Sequence, residues 1–397
     1  MRTIPFVEPW IDKKELQLAL KPQLVCSLGK TSKLLERYFE KKLKVKRALL
    51  VGSCTQALEI ALMSLDLKKD DEVICPSYTF VSTVSSIIRL GGKAVFVDIE
   101  PNSLGLDPNQ IERAINDKTR VVVVVHYGGL SAQIETIRKI CHANNLRLIE
   151  DNAQGVFVKT DGKYLGTFGD IGCFSFHYTK NITCGEGGLL IIPNDSTLIT
   201  SCEEIRSFGT DKEAFLRGKV DKYEWQRIGG SYFMTDIQAA LLKSQISKYP
   251  KILAERKRVY KFYYHKLQPL KKVGIGLSKH PSNSNYHLFW LICRSQKERD
   301  DLMEVLRRNG IQASFHFLPL HMSPFVKKNP DRFRVVGDMR ITMSVSEKIL
   351  RLPIFPELTN EEANYVCSKI LTFYCQVPTL VYTLSLNGQV KRFVSRG

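Results

Sequence analysis

Lys180 stands between the aromatic stretch Phe174-Ser-Phe-His-Tyr178 and a glycine-rich turn, Cys184-Gly-Glu-Gly-Gly188. A lysine lodged in such surroundings loses hydration. Its ammonium form is then disfavoured, and the free amine can attack a carbonyl carbon to form a Schiff base. Asp151 precedes it and closes the strand-like segment Leu146 to Glu150. A carboxylate at the end of a buried strand is costly unless a cation or hydrogen-bond donors meet it. A protonated ring nitrogen is one such cation, and an acid in that place keeps a heteroaromatic ring electron-withdrawing. Thr55 opens a predicted helix directly after a predicted strand, where free amides and the helix dipole attract phosphate. Each feature has an ordinary reading by itself: a surface lysine, a salt bridge, a helix cap. Together they supply an amine, a partner for a pyridinium and a phosphate cradle, the three requirements of pyridoxal 5'-phosphate.

Elements of the right kind are present to hold these groups. Ala48–Val51, Glu72–Cys75, Lys93–Asp98, Val121–Val125 and Leu146–Glu150 read as buried strands. Apolar residues at helical spacing fall between them, as in Thr55 to Leu65 and Ile134 to Asn144, and Asp107-Pro108 marks a helix start. Repeated βαβ units predict an α/β fold with a large, mainly parallel sheet covered by helices. Ligands in such sheets bind beyond the carboxyl ends of the strands, where Gly52–Thr55, Pro76–Phe80, His126–Gly128 and Asp151–Gln154 fall. The pattern changes near Pro250. Residues 1–250 are expected to form the large domain with an N-terminal arm. Residues 251–374 are expected to form a smaller α+β domain. It would begin with a bridging helix, Lys251 to Lys266, and continue through strands at Leu288–Cys293 and Ala313–Phe317, with helices at Lys297–Asn309 and Asn360–Phe373. Residues 375–397 form a tail in which Asn387-Gly388 predicts a β-hairpin.

Composition narrows the function classes. The 397 residues are 44% hydrophobic and 25% charged, which suits a globular chain. No apolar run approaches a membrane span, and the start lacks the apolar core of a signal peptide. Ten cysteines without a CxxC pair predict reduced thiols, a cytoplasmic location and no metal site. The net charge of +18 comes from scattered lysines and arginines, and without a basic tail or run it does not predict nucleic-acid binding. Gly29-Lys-Thr31 ends like a phosphate-binding loop, but Leu24 stands where the first glycine belongs. No GxGxxG follows a strand, so nucleotide hydrolysis and dinucleotide redox chemistry lose support.

The chain resembles the DegT/DnrJ/StrS family of sugar-nucleotide aminotransferases from about Ile4 to Phe373. The resemblance rests on Ser53–Leu58, Pro76–Phe80, Val97–Ile99, Val125–Gly128, Ile149–Gln154, Phe174–Gly188 and Thr235–Ala240, in that order and spacing. It implies the type I, aspartate-aminotransferase-like fold of pyridoxal-phosphate transferases. One branch fits best, the transaminases that make dTDP-4-amino-4,6-dideoxygalactose for surface polysaccharide. Arg217–Trp225, Ile228–Tyr232, Phe315–His321 and Leu350–Phe355 are similar to it. Members of that branch move an amino group from L-glutamate to C4 of a dTDP-4-keto-6-deoxy sugar. The resemblance implies that Lys180 carries the cofactor and then shuttles a proton, and that Asp151 holds the ring nitrogen. It implies that Gln154 bonds the phenolic oxygen and that Phe80 stacks on the ring. Cys54, Thr55, Gln56 and Ser175 would hold the phosphate, and Ser231 would take the place of an asparagine that most of the family lends from a partner subunit. A homodimer with shared sites follows. Arg217, Lys219, Lys222, His316 and His321 are the candidates for substrate contact. Asn152 replaces the usual alanine after Asp151. Some relatives dehydrate sugars instead, but that change accompanies loss of the lysine, which is present here. A UDP-linked or C3-keto acceptor, or a non-catalytic scaffold, are the alternatives.

Overall fold

A computed structural model describes residues 3–21, 26–279 and 283–376. The hairpin expected in the tail lies outside them. In chain order the strands are β1 Arg47–Val51, β2 Glu72–Pro76, β3 Lys93–Val97, β4 Thr119–Val125 and β5 Arg147–Asp151, followed by the short pair β6 Lys159–Thr160 and β7 Lys163–Tyr164. Then come β8 Ile171–Ser175, β9 Gly188–Ile192, β10 Gly276–Leu277, β11 Phe289–Ile292, β12 Phe333–Val335 and β13 Ile349–Leu352.

Eight strands make the main sheet, in the order β1-β9-β8-β5-β4-β2-β3-β12. All run one way except β9, which is antiparallel to both β1 and β8. The valines of β4 show why the sheet is covered twice. Val121 and Val123 join one core with Leu58, Ile60 and Ile149, while Val122 and Val124 join the opposite one with Ile134 and Ile137. A strand with period two and no polar face has to be sandwiched between helices.

A second core surrounds the three-stranded sheet β10-β11-β13 and includes Tyr263, Phe289, Leu291, Leu350 and Ile370. The helix Asp236–Lys266 links the two sheets: Ala239, Leu242 and Ile252 pack with Leu50 and Ile191 of the main sheet, and Val259, Tyr260 and Tyr263 enter the core of the small one. It starts fifteen residues before the expected Lys251, because Thr235 and Gln238 form a reciprocal capping box at its true beginning. Pro250 lies inside it rather than before it. Two further expectations change. Ala313–Phe317 is not a strand: only Ser314 pairs, with Arg351, and the carbonyls of Phe315 and His316 are taken by the side chains of Arg351 and Tyr78. And β12, from the later part of the chain, returns to the main sheet as a parallel partner of β3.

Candidate active site

The carboxyl ends of the central strands open into a cavity of about 650 Å³. Cys54, Thr55, Phe80, Asp151, Gln154, Ser175, Lys180 and His316 all line it. One wall comes from the small sheet and the segment before it, through Gln312, His316, Phe317 and Arg351, and another from Phe6 and Val7 of the N-terminal arm.

The phosphate end is built by the helix Cys54–Met63. Ser53 caps it, accepting from the Gln56 N–H at 3.2 Å, and the Gln56 side chain turns back to accept from the Gly52 N–H at 2.9 Å. The structure therefore places Gln56 in the cap, outside the cavity, with its amide engaged. Cys54 and Thr55 remain as the first-turn residues facing the cavity. Ser175 ends β8 beside them, and its Oγ accepts from the His177 N–H at 3.3 Å. Burial raises the Cys54 thiol well above its usual range, so it stays uncharged.

Asp151 is buried at the end of β5. One carboxylate oxygen accepts from Thr83 Oγ1 at 2.8 Å and the other from the Ala153 N–H at 3.2 Å. Burial nonetheless raises its pKa above the ordinary carboxylate value. Among the described residues no basic side chain forms an ion pair with it. A carboxylate so placed, held in orientation yet lacking a cation, fits a pyridinium N–H. Gln154 Oε1 accepts from the Gly128 N–H at 2.7 Å, which leaves its amide NH₂ as the free donor at the cavity wall. Lys180 is half-buried, and its Nζ has neither a hydrogen bond nor an ion pair among the described residues. Burial lowers its pKa, which favours the nucleophilic amine.

The other predicted residues scatter. His316 lines the cavity; its Nδ1 meets the Tyr127 hydroxyl at 2.9 Å, and burial pushes its pKa well below the usual value, so the ring is neutral. His321 lies outside, with Nδ1 2.7 Å from Ser77 Oγ. Arg217 and Ser231 line a separate cavity of about 780 Å³. There Arg217 is drawn to Glu203, with Nη1 2.8 Å from Oε1, within an ion-pair cluster that includes Glu36, Arg47, Arg206 and Glu213. Lys219 and Lys222 are exposed, Lys222 3.4 Å from Glu224. The Gly29-Lys-Thr31 helix start holds no phosphate site: Asp236 accepts from the Thr31 and Ser32 amides, each at 3.0 Å. The sequence reading missed Phe6, Gln312 and Arg351. Only Arg351 left a signal, as a charge inside an otherwise apolar strand.

The model of the DegT/DnrJ/EryC1/StrS aminotransferase family matches residues 11–371. The chain belongs to this family. A relative of this aminotransferase, the GDP-perosamine synthase of Vibrio cholerae, is 32% identical over 380 residues, covering 94% of this chain and 99% of that protein. An uncharacterised protein of Methanocaldococcus jannaschii is also 32% identical, over 90% of this chain and 94% of its own. Among solved structures, NtdA of Bacillus subtilis with its cofactor PMP bound superimposes with a TM-score of 0.85 at 25% identity, over 95% of this chain and 86% of that one. PseC of Helicobacter pylori, an aminotransferase involved in pseudoaminic acid biosynthesis, gives 0.82 at 25% identity, over 94% and 99%. The fold is that of the type I pyridoxal-phosphate transferases, and the cofactor of this aminotransferase is pyridoxal 5'-phosphate. Lys180, Asp151, Gln154 and the start of the helix Cys54–Met63 fit it residue by residue. Among the described residues no helix is long and apolar enough to cross a membrane, and no cluster of metal-binding side chains occurs.

Proposed function

We propose that this aminotransferase moves an amino group from L-glutamate to C4 of a dTDP-linked 4-keto-6-deoxy sugar, giving dTDP-4-amino-4,6-dideoxygalactose in the cytoplasm for surface-polysaccharide synthesis. The observation that carries the reading is one cavity holding a helix start, a lysine that is unpaired among the described residues and a buried carboxylate that meets no cation among them. When bound, the cofactor supplies an electron sink that makes the C–H bond of the amino donor acidic. Asp151 would accept a hydrogen bond from the protonated ring nitrogen and so keep that sink charged. Gln154 donates to the phenolic oxygen. The amides at Cys54 and Thr55, with Ser175 Oγ, bind the phosphate, and Phe80 covers the ring and excludes water. Lys180 Nζ would take the proton from the donor carbon and hold it for return, a transfer its lowered pKa suits.

Arg217, Lys219, Lys222 and Ser231 lie off this chain's own cavity and reach a substrate or phosphate only in the cavity of a second copy. The segment that bears them exposes Trp225 by 77% and Ile228 by 76%, apolar area that an interface would cover. This supports a homodimer with shared sites.

A second acceptor is favoured by one finding: the Vibrio cholerae relative is a GDP-perosamine synthase, which supports a GDP-linked sugar. Absorbance of the cofactor-loaded protein tests both. L-Glutamate should bleach the visible band, and dTDP-4-keto-6-deoxyglucose should restore it. Restoration only by a GDP-linked keto sugar would move the assignment to that nucleotide. A loaded protein that L-glutamate leaves unchanged would refute the proposed donor.

A further inference from the structure

The lysines and arginines are spread along the chain, but the acids are not. Between Glu255 and Glu298 there is no aspartate or glutamate, against ten lysines and arginines. More than half of the net charge of +18 therefore gathers on one part of the fold, the end of the helix Asp236–Lys266 and the segment after it. Four of the ten are already engaged. Arg256 is buried and donates to the carbonyls of Tyr286 and His287, at 3.1 and 2.6 Å. Arg258 pairs with Glu255 at 2.7 Å and bonds the Asn360 side chain. Arg294 pairs with Glu298 at 2.9 Å, and Lys297 with Asp301 at 2.6 Å. The other six, Lys257, Lys261, Lys266, Lys271, Lys272 and Lys279, have no ion pair among the described residues, and all but the half-buried Lys257 are exposed.

Their arrangement is a face. Val259 and Tyr263 enter the core of the small sheet. The other side of the helix, with Ala254, Lys257, Lys261 and His265 at spacings of three and four, turns outward. Lys257 and Lys261 stand one turn apart, a like-charge pair that costs the helix stability. Tyr264 extends the face. Its ring stacks on that of Tyr260, with centroids 6.1 Å apart. Lys271 Nζ lies 4.8 Å from the centre of the same ring and donates to the Tyr264 hydroxyl at 3.3 Å. Hydrogen bonds from Lys271 and Gln268, with the charges of Lys271 and Lys279, draw the Tyr264 pKa below its ordinary value, so Lys279 belongs to the same patch. Lys266 Nζ stands 5.9 Å from the centre of the Phe262 ring. The helix Gln296–Arg308 shows how a solvated face ordinarily settles its charges: Asp301 meets Lys297, and Glu304 meets Arg307 and Arg308. No acid does this for the six lysines among the described residues.

A face built this way is selective. A second copy would bring the same sign to it, so it repels itself. Bases of a nucleic acid need free ring faces, but the Tyr264 ring is engaged by Tyr260 and Lys271 and the Phe262 ring by Lys266. The exposed arginines, whose forks would grip a phosphate in two places, are spent on glutamates. What remains is a cluster of lysine point charges. The apolar side of the helix is packed inside the protein, so nothing is left to insert into a lipid core. Such a cluster fits a broad layer of negative charge that is touched from outside.

We infer that this face, Lys257 to Lys266 with Lys271, Lys272 and Lys279, docks the protein on the surface of an anionic lipid bilayer. The inference goes beyond the proposed transamination and does not depend on it.

Co-sedimentation of the full-length, cofactor-loaded protein with vesicles tests it. The protein should sediment with mixed phosphatidylglycerol–phosphatidylcholine vesicles and stay in solution with phosphatidylcholine alone. It should be released as salt rises from about 0.1 to 1 M, where the screening length falls from ~10 to ~3 Å. Lys257→Gln, Lys261→Gln and Lys271→Gln together should weaken binding by roughly 100-fold, about fivefold for each lysine. The single variants carry the test if the triple one does not fold. Lys118→Gln, Lys139→Gln and Lys327→Gln remove the same charge from exposed positions on other elements and should weaken binding by less than about threefold, because screening hides them from the docked face. An equal loss in the two triple variants would reduce the effect to net charge and overturn the inference. So would undiminished binding by the first triple variant, failure of the wild type to bind anionic vesicles, or equal binding to neutral ones. Tighter retention by RNA or duplex DNA than by anionic vesicles at the same salt would make the face a nucleic-acid surface instead.

Discussion

Replacing Gly188 by alanine should loosen the cofactor without dismantling the sheet. Gly188 is the first residue of β9, paired with Val51 at the end of β1 and with Ser175 at the end of β8. It is thus the floor of the phosphate cradle. A Cβ there would lie 2.4 Å from the carbonyl carbon and oxygen of Ser53 and 2.7 Å from the Cys54 nitrogen. Ordinary contact begins near 3.4 Å, so the Ser53–Cys54 backbone must retreat by about 1 Å, because neither strand can yield. An amide–phosphate hydrogen bond lengthened by about 1 Å is no longer one. Hydrogen bonds to a charged group are worth ~1.5–3 kcal/mol each, so losing one raises the cofactor Kd by roughly 10- to 150-fold. Titration of cofactor-free protein with pyridoxal 5'-phosphate, followed by absorbance, reads this directly. Gly162→Ala is the control: that glycine, unlike Gly188, has a positive φ, of 78°, and nothing lies within 4 Å of its Cβ position. It should cost stability and leave cofactor affinity alone. A folded Gly188→Ala protein that binds cofactor as tightly as the wild type would refute the account of the cradle.

Other outcomes follow from the same contacts. Burial raises the Asp151 pKa in the folded state, so the folded protein holds that proton to higher pH than the unfolded chain does. Asp151 therefore costs stability once pH exceeds its folded pKa, and the cost disappears below the unfolded value near 3.8. Cofactor-free Asp151→Asn should accordingly melt higher than wild type at neutral pH, with the gap closing toward pH 4, while its transamination rate falls by ~10²-fold or more; an equal Tm at both pH values would contradict this. Arg206 is fully buried and bonds Glu36, Glu213 and the Leu50 carbonyl, so Arg206→Ala should lose about 3–5 kcal/mol in denaturant melts. Arg217 has a side chain 41% exposed, and Arg217→Ala should lose less than ~1 kcal/mol. Paired Trp225→Asp and Ile228→Asp changes should convert a dimer to a monomer in light scattering and remove activity; an unchanged mass would place the interface elsewhere.

Much of the site was readable because its chemistry sits at strand ends that local patterns mark. The valine run of β4 and the apolar segment before Asp151 need no tertiary knowledge to be read as buried parallel strands. Lys180 could be singled out only together with Asp151 and Thr55, since its own window reads equally as a surface lysine. What escaped reading depends on distant contacts. Three residues, Phe333–Val335, carry no periodicity, and only the open flank of β3 makes them a strand. Ala313–Phe317 has a strand's composition, yet its carbonyls answer to Tyr78 and Arg351 side chains. Thr235 and Gln238 spelled out a helix start in the sequence, but Pro250 drew attention to the wrong place. Packing on both cores carries the helix past that proline despite the missing N–H. Gln56 sits in the cap for a local reason: an N-cap serine takes the third amide of its helix.

The return of β12 to the main sheet sets a timetable for synthesis. Its partner in β3 is made early: Ala94 waits for Phe333, Val95 for Arg334 and Phe96 for Val335. At ~5–20 residues per second, the flank of β3 leaves the ribosome roughly 10 to 50 s before the residues that cover it. Throughout that interval an apolar strand presents unpaired N–H and C=O groups to other nascent chains. Truncation before Phe333 would make this exposure permanent, so aggregates should accumulate from fragments ending there, and the yield of full-length protein should respond to chaperones that act on growing chains.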